Sequence, residues 1–331
     1  MLISDVFGAY WKPLQPGPKP GPTSYCFPVV APKTLIGIEV EAENYHGFPA
    51  TNGLDYRIRS CWQEKPEHSL RNSGVEFISG ALSGFQVGEA LSILHTMNRI
   101  GELMYTDLAG LHIHLNVRDW KVSQLINLVA LYIVFEDSLF RVSGNRQESI
   151  YCVPARTSFS GLPELLRSRD ILRAMRSANK YMGFNYATIK TFGSVEFRHS
   201  VASAEVSYIL HWINTLLRIH TAAQEWDMSQ LEEKIFQLNT NSEYFNFATT
   251  IFKEEMDWIA CSQLNKEMRE GVAVLKEWKI RSHLTSEKIL DVSETNIHKR
   301  IVAKRRVNQE VAVDFLPLYE FAGANVVPRR R

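Results

Sequence analysis

The chain is poor in cysteine. It has four in 331 residues (Cys26, Cys61, Cys152 and Cys261), and no two form a CxxC pair. That argues against a disulfide framework and fits a reducing compartment, so a cytoplasmic location is expected. Net charge is also lacking: 37 Lys and Arg stand against 36 Asp and Glu, for a balance of +1. No global field pulls the protein toward nucleic acid or an anionic membrane. Long apolar runs are missing too. The most apolar stretch, Leu125 to Phe135, is interrupted by Asn127 and is about half of what a membrane span requires, so a buried helix is expected there. The first residues show no basic region followed by an apolar one, so no signal peptide is expected. Nor is there a GxxxxGK[ST] loop, which excludes a Walker-type nucleotide site; GNRQES at 144–149 is no substitute.

What remains is ordinary globular composition, 45% apolar and 22% charged, enough for a sizeable core. Proline is unevenly spread. Seven of the 13 prolines lie between Pro13 and Pro32. Proline lacks the amide donor and fixes φ, so residues 1–33 read as a Pro-rich N-terminal arm, extended, lying on the domain or loose in solvent. From Thr34 the pattern changes. Ile36, Ile38 and Val40 alternate with Gly37, Glu39 and Glu41, the period of a half-buried strand. GVEFIS (74–79) reads as a second strand, and residues 53–63 as a further strand or a loop. Leu111 to Val117 alternates again, as do the short stretches Phe184–Ile189 and Ser194–His199. Helical spacing is expected over 85–104, 122–142, 163–180 and roughly 204–226, 229–238, 243–260 and 262–281.

One pattern recurs in these strands. Residues two apart share a face. Glu39 shares a face with Glu41, His112 with His114 and Asn116, and Glu196 with Arg198, while each opposite face is Ile, Val, Leu or Phe. Glu76 and Asn185 follow the same logic. An antiparallel sheet with helices on its apolar side gathers these groups on the other. A merely solvated face favours Lys, Thr, Ser and Gln; this one offers carboxylates, two imidazoles and an arginine. Clustered carboxylates repel one another unless a cation sits among them. Mg²⁺ and Mn²⁺ prefer oxygen ligands and tolerate an imidazole. An arginine beside such ions supplies the other half of a phosphate site.

The order of these motifs resembles the amidoligase family, the bacterial and phage branch of the carboxylate–amine ligases in the glutamine synthetase and glutamate–cysteine ligase superfamily. The motifs are GIEVE (37–41), EHSLRNSGVEFIS (67–79), GLHIH (110–114), RVSGNRQESIYC (141–152) and KYMGFNYATIKTFGSVEFR (180–198). The resemblance implies an α+β fold: a curved, mostly antiparallel sheet with helices on its outer face, like the catalytic fold of glutamine synthetase. The resemblance covers about residues 34–220; since the strand patterns stop near 227, a catalytic domain is expected over 34–226, followed by a helical C-terminal region (227–298) and a basic tail (299–331). The resemblance also implies ATP and Mg²⁺ (or Mn²⁺), and an amide or isopeptide bond made through an acyl phosphate.

Carried over by position, Glu39, Glu41, Glu76, His112 and Glu196 would be metal ligands. His114 would sit near the phosphates, and Arg198 would hold phosphate or the acyl phosphate. Arg141 and Arg146 are candidates for phosphate or the substrate carboxylate, on a segment able to close as a lid. Asn185 would contact substrate or orient a ligand. Glu67 stands where the family pattern has Asp, one methylene shorter, and is carried over as a further metal-ligand candidate. The substrates would be a small-molecule, peptide or protein carboxylate and an amine; the arginines of 141–156 suggest an anionic acceptor. No membrane partner is expected, and an oligomer is compatible with the wider superfamily.

Two other readings stand beside this one. A zinc hydrolase would use His112, His114 and Glu76 or Glu196, but would leave the Glu39–Glu41 pair and Arg198 unused. A non-enzymatic nucleic-acid-binding or structural protein would rest on Lys299, Arg300, Lys304, Arg305, Arg306 and the terminal arginines.

Overall fold

The computed structural model describes residues 1–15, 17, 29–31, 33–48, 54–157 and 161–280. Most of the stretch from Pro13 to Pro32 and all of the basic tail lie outside the described residues. The fold is α+β, built on one open six-stranded antiparallel sheet. Its strands are β1 (Ile36–Ala42), β2 (Trp62–Pro66), β3 (Val75–Ser79), β4 (Gly110–Asn116), β5 (Phe184–Asn185) and β6 (Ser194–Val201), in the spatial order β2-β3-β1-β4-β6-β5. The alternating segment Ile36–Ala42 takes the centre, paired with β3 on one side and β4 on the other.

The side chains Ile36, Ile38, Val40, Phe77, Leu111, Ile113, Leu115, Val195 and Phe197 are fully buried in one core. Helices supply its other wall. They are α1 (Ile3–Phe7), α2 (Leu54–Cys61), α3 (Gly84–Gly101), α4 (Val122–Val142), α5 (Leu162–Ser168), α6 (Ile171–Ala174), α7 (Ile189–Phe192), α8 (Val206–Glu225), α9 (Met228–Gln237), α10 (Asn241–Phe252), α11 (Met256–Ile259) and α12 (Leu264–Ile280). The central helix is α4. Its apolar residues lie all round its axis, as a helix enclosed on every side requires, and Leu125, Leu128, Val129, Leu131, Tyr132, Ile133 and Phe135 are fully buried. No helix among the described residues is long and apolar enough to cross a membrane. The helices after 227 are not a separate body. Residues 1–281 form one compact unit, and Leu231, Phe247, Met268 and Leu275 belong to the same core as the sheet.

Several local expectations are corrected. Residues 3–7 are helical, not extended: Ile3 and Phe7 are buried, and the Ile3 amide donates to the Trp120 carbonyl at 2.8 Å. The prolines that break helices begin only at Pro13. Residues 54–61 are a helix, since Ile58 and Cys61 recur three apart on a buried face, and the strand follows it as β2. The helix expected over 163–180 stops at Ser168, where Arg169 adopts a left-handed φ of 57° and Asp170 caps the next turn. The strand expected over 184–189 is cut to two residues. The Asn185 side chain accepts the Ala187 amide at 3.0 Å and turns the chain into α7, which ends at Gly193 with φ 68°.

Candidate active site

The polar face of the sheet is assembled by register. Glu39 of β1 is paired with His112 of β4, and Glu41 with Glu76 of β3. His114 of β4 is paired with Glu196 of β6, which in turn is paired with Asn185 of β5. Five strands thus bring the groups predicted on one face to one place. Most are buried: Glu41, Glu76, His112, Asn185 and Glu196 are all at most 6% exposed.

Two glycines make this density sterically feasible. Gly37 faces His114, and a Cβ there would lie 3.2 Å from that of His114. A Cβ on Gly110 would meet Arg146 Nη1 at 2.2 Å and His112 Nε2 at 2.8 Å. The glycines opening GIEVE and GLHIH are therefore the absent side chains that leave room for the histidines and for Arg146.

His112 is the centre of the arrangement. Its Nδ1 is 3.3 Å from Glu39 Oε2 and 3.5 Å from Glu196 Oε1, and its Nε2 is 3.8 Å from Glu41 Oε1. Donor atoms of Glu39, His112 and Glu196 lie within 4.8 Å of one another, and so do those of Glu41, Glu76 and His112. Each group offers carboxylate oxygens and one imidazole, a hard donor set that fits Mg²⁺ or Mn²⁺. A neutral imidazole has one lone pair and one N–H. His112 can therefore ligate in one group while donating to the other.

The electrostatics match. Burial pushes the Glu39 carboxyl up, but the charge of His114 and close polar contacts with both histidines hold it well below the usual carboxylate range. Burial opposes ionisation of Glu196 as well, and His114, Arg198 and His112 outweigh it and lower it. Burial lowers His114, yet Glu39 raises it to about 9. Glu76 is raised, by burial and by the charge of Glu39. The His114 ring keeps its orientation through Nδ1, 3.1 Å from Ser194 Oγ; its Nε2, 3.3 Å from Glu39 Oε1, is buried without a well-aligned hydrogen bond.

Arg198 and Asn185 frame Glu196. Arg198 pairs with Glu196 through Nη1 and donates from Nε to the Tyr151 carbonyl at 3.2 Å. Among the described residues none accepts from its Nη2, which leaves that group for an anion. The Asn185 amide donates to Glu196 Oε2 at 2.6 Å and so orients a ligand.

Two predicted residues, Arg141 and Glu67, are placed elsewhere, and a third, Arg146, lies beside the site with its donors turned to backbone. Arg141 pairs with Glu267 of α12 at 3.0 Å and donates to the Ile259 carbonyl, so it ties helices together and is not brought to the site. Glu67 is not among the converging donors; its Oε1 accepts the Ser69 amide at 2.9 Å and shapes the turn before β3. Arg146 is close to the site but is spent on backbone. Its guanidinium donates to the carbonyls of Leu108 (2.8 Å), Ser200 (3.2 Å) and Arg198 (3.5 Å).

The need for Arg146 arises in β6. Leu111 pairs with Ser200 and Ile113 with Phe197, so two residues of β6 stand opposite His112 alone. Such a bulge leaves ladder carbonyls without strand partners, and Arg146 takes them. Arg156 is committed too, to Glu136 and Asp137 of α4, while Glu136 also accepts the Ala155 amide and the Tyr132 hydroxyl. These bonds fasten the 144–157 segment to the body. The same segment is stitched to the chain before β5, since the Val153 amide donates to the Tyr181 carbonyl at 2.7 Å. The anionic acceptor inferred from the arginines of 141–156 loses the support of Arg141 and Arg156, whose guanidiniums are paired with carboxylates.

Sequence reasoning missed Lys65, whose Nζ is 2.8 Å from Glu76 Oε2. Its partner in the register is Glu76 itself, so a strand assignment over 62–66 would have found it.

One face of the sheet thus carries two carboxylate groups that share His112 and could each hold a metal ion, with Arg198 beside them. The family model described as "Putative amidoligase enzyme" matches residues 54–220, half of the chain, and the chain belongs to that family. The matched segment holds Glu76, His112, His114, Asn185, Glu196 and Arg198, and β1 with Glu39 and Glu41 lies just outside it. No curated protein matches the chain.

Proposed function

We propose that this amidoligase-family protein is an ATP-dependent ligase that joins a carboxylate to an amine through an acyl phosphate. The observation behind this reading is the pair of carboxylate groups that share His112, with Arg198 alongside. The carboxylate oxygen would attack the terminal phosphorus of ATP and ADP would leave; the amine would then attack the acyl carbon and phosphate would leave. Bound Mg²⁺ or Mn²⁺ would neutralise phosphate charge. Glu39, His112 and Glu196 would hold one ion and Glu41 and Glu76 a second. Arg198 would direct Nη2 at a phosphoryl or acyl-phosphate oxygen, and His114 would face the same charge from the other side of Glu196.

The zinc reading gains no support. Neither of the two converging groups contains both His112 and His114, and each is dominated by carboxylates. The test is ADP release from Mg²⁺–ATP across panels of small-molecule and peptide acids and amines. Turnover that requires both an acid and an amine, with amide product by mass, supports the ligase. ATP-independent hydrolysis that survives Mg²⁺ removal and stops on zinc chelation sinks it.

A further inference from the structure

The Glu41–Glu76 group already has a cation beside it. Lys65 of β2, Glu76 of β3 and Glu41 of β1 stand in one row across three adjacent strands, each paired with the next in register. The Lys65 ammonium sits on Glu76 Oε2 at 2.8 Å, an oxygen of one of the three residues whose donors converge. The Glu39–His112–Glu196 group has its own positive neighbour in Arg198. The two neighbours differ in how they are held. Arg198 is 16% exposed and fixed to the Tyr151 carbonyl as well as to Glu196. The Lys65 side chain is 60% exposed, and among the described residues Glu76 is its one acceptor.

We propose that Lys65 is a displaceable internal counter-ion of the Glu41–Glu76 pocket, holding Glu76 when no divalent ion is bound and swinging into solvent when one enters. The inference rests on the two-cation reading of the site given above. Its physical basis is charge. Two buried carboxylates on facing strands repel, and a single positive charge on a flexible four-carbon stem relieves this without a fixed position. A divalent ion would draw on the same Glu76 carboxylate that the ammonium neutralises, so ammonium and metal compete for its charge. The lysine can yield because its stem reaches water. An arginine fixed at both ends cannot, so it stays beside a bound ion and serves the anion instead. The pocket thus carries its own competitor, which sets the divalent concentration at which it fills.

The experiment is titration of the full-length protein with Mn²⁺, without nucleotide, by calorimetry or by the paramagnetic signal of free Mn²⁺. Wild type is compared with Lys65→Met, Lys65→Arg and Glu76→Gln. In Lys65→Met, one class of Mn²⁺ site should tighten by about twofold to fivefold, the scale of one exposed ion pair that no longer has to be broken. Lys65→Arg should stay near wild type, and Glu76→Gln should abolish the affected class. Mn²⁺ binding that is equal or weaker in Lys65→Met overturns the counter-ion role while leaving the metal site standing. No Mn²⁺ binding to any variant overturns both, and thermal unfolding without metal shows whether each variant is folded.

Discussion

Glu39 and His112 stand opposite each other across the two central strands, with Oε2 and Nδ1 3.3 Å apart, and the other oxygen of Glu39 is 3.3 Å from His114 Nε2. One carboxylate thus touches both histidines, and its loss leaves both without their shared negative partner. Glu39→Ala is expected to lower ATP turnover by at least about a hundredfold, the scale on which a group stabilising transferring charge acts. Glu196→Ala should do the same, because Glu196 joins Glu39 at His112. Both variants should keep the wild-type far-ultraviolet circular dichroism, since neither residue is part of the apolar core. Full ADP release in both would place the reaction elsewhere.

Gly110 gives a steric test. The space a methyl group would need there is filled by the Arg146 guanidinium at 2.2 Å and by His112 Nε2 at 2.8 Å. Neither neighbour can retreat freely, because Arg146 is held by three carbonyls and His112 by the carboxylates around it. Gly110→Ala is expected to cost about 1–3 kcal/mol of stability, the usual range for overpacking, and to weaken Mn²⁺ binding. Urea unfolding and Mn²⁺ titration measure the two effects. A variant of wild-type stability would mean that this corner of the site is looser than the distances state.

The strands that carry the site were legible because they alternate. Ile36, Ile38 and Val40 point to the core, so Glu39 and Glu41 point away, and the same holds for His112 and His114 against Ile113 and Leu115. The gathering of Glu76 and Asn185 followed from the same rule. What alternation does not reveal is the purpose of a charge. Arg141, Arg146 and Arg156 look alike in sequence, yet the fold spends the first on a helix pair, the second on a bulge and the third on the start of a loop. A bulge is set by register between strands, which one sequence does not display. Lys65 stayed hidden for another reason. The helix ahead of it, Leu54–Cys61, shows in sequence one short apolar step (Leu54, Ile58 and Cys61), too little to separate helix from strand, so the facing of the residues after it was unassigned.

Arg146 separates a structural cation from an anion-binding one. It is 6% exposed, and burial holds its guanidinium below the usual arginine value, with no carboxylate in hydrogen-bond contact. Arg146→Met should leave the carbonyls of Leu108, Ser200 and Arg198 short of donors. The expected loss is about 2–4 kcal/mol, a few unsatisfied buried acceptors. Arg146→Lys should recover only part, since one ammonium cannot replace a planar fork. Chemical denaturation of the three proteins checks this. If Arg146 instead binds phosphate or substrate, stability would hold and nucleotide affinity alone would fall.

Two histidines outside the site set the response to acid. His199 lies between Phe140 and Trp212 with Nε2 3.0 Å from the Tyr132 hydroxyl, and burial together with nearby Arg146 lowers it to about 3. His220 is packed on Trp120 with Nε2 3.0 Å from the Asn116 carbonyl, and burial lowers it to about 4. Each takes up its proton on unfolding, near pH 6.5, well before it does so in the folded protein. The stability each contributes is therefore complete above about pH 6.5 and is lost as pH falls toward the folded-state value. Between pH 6.5 and 4.5 the loss is about 1.4 kcal/mol per pH unit for each histidine. Glu39 and Glu196, both lowered, add their loss only further down. Glu76, raised, opposes the trend, so the informative comparison is with a variant. His220→Gln is expected to be less stable than wild type at pH 7 and to show a pH slope shallower by about 1.4 kcal/mol per unit between 6.5 and 4.5. Urea unfolding at half-unit pH steps measures that slope, and parallel curves for the two proteins would show that His220 is already protonated in the fold.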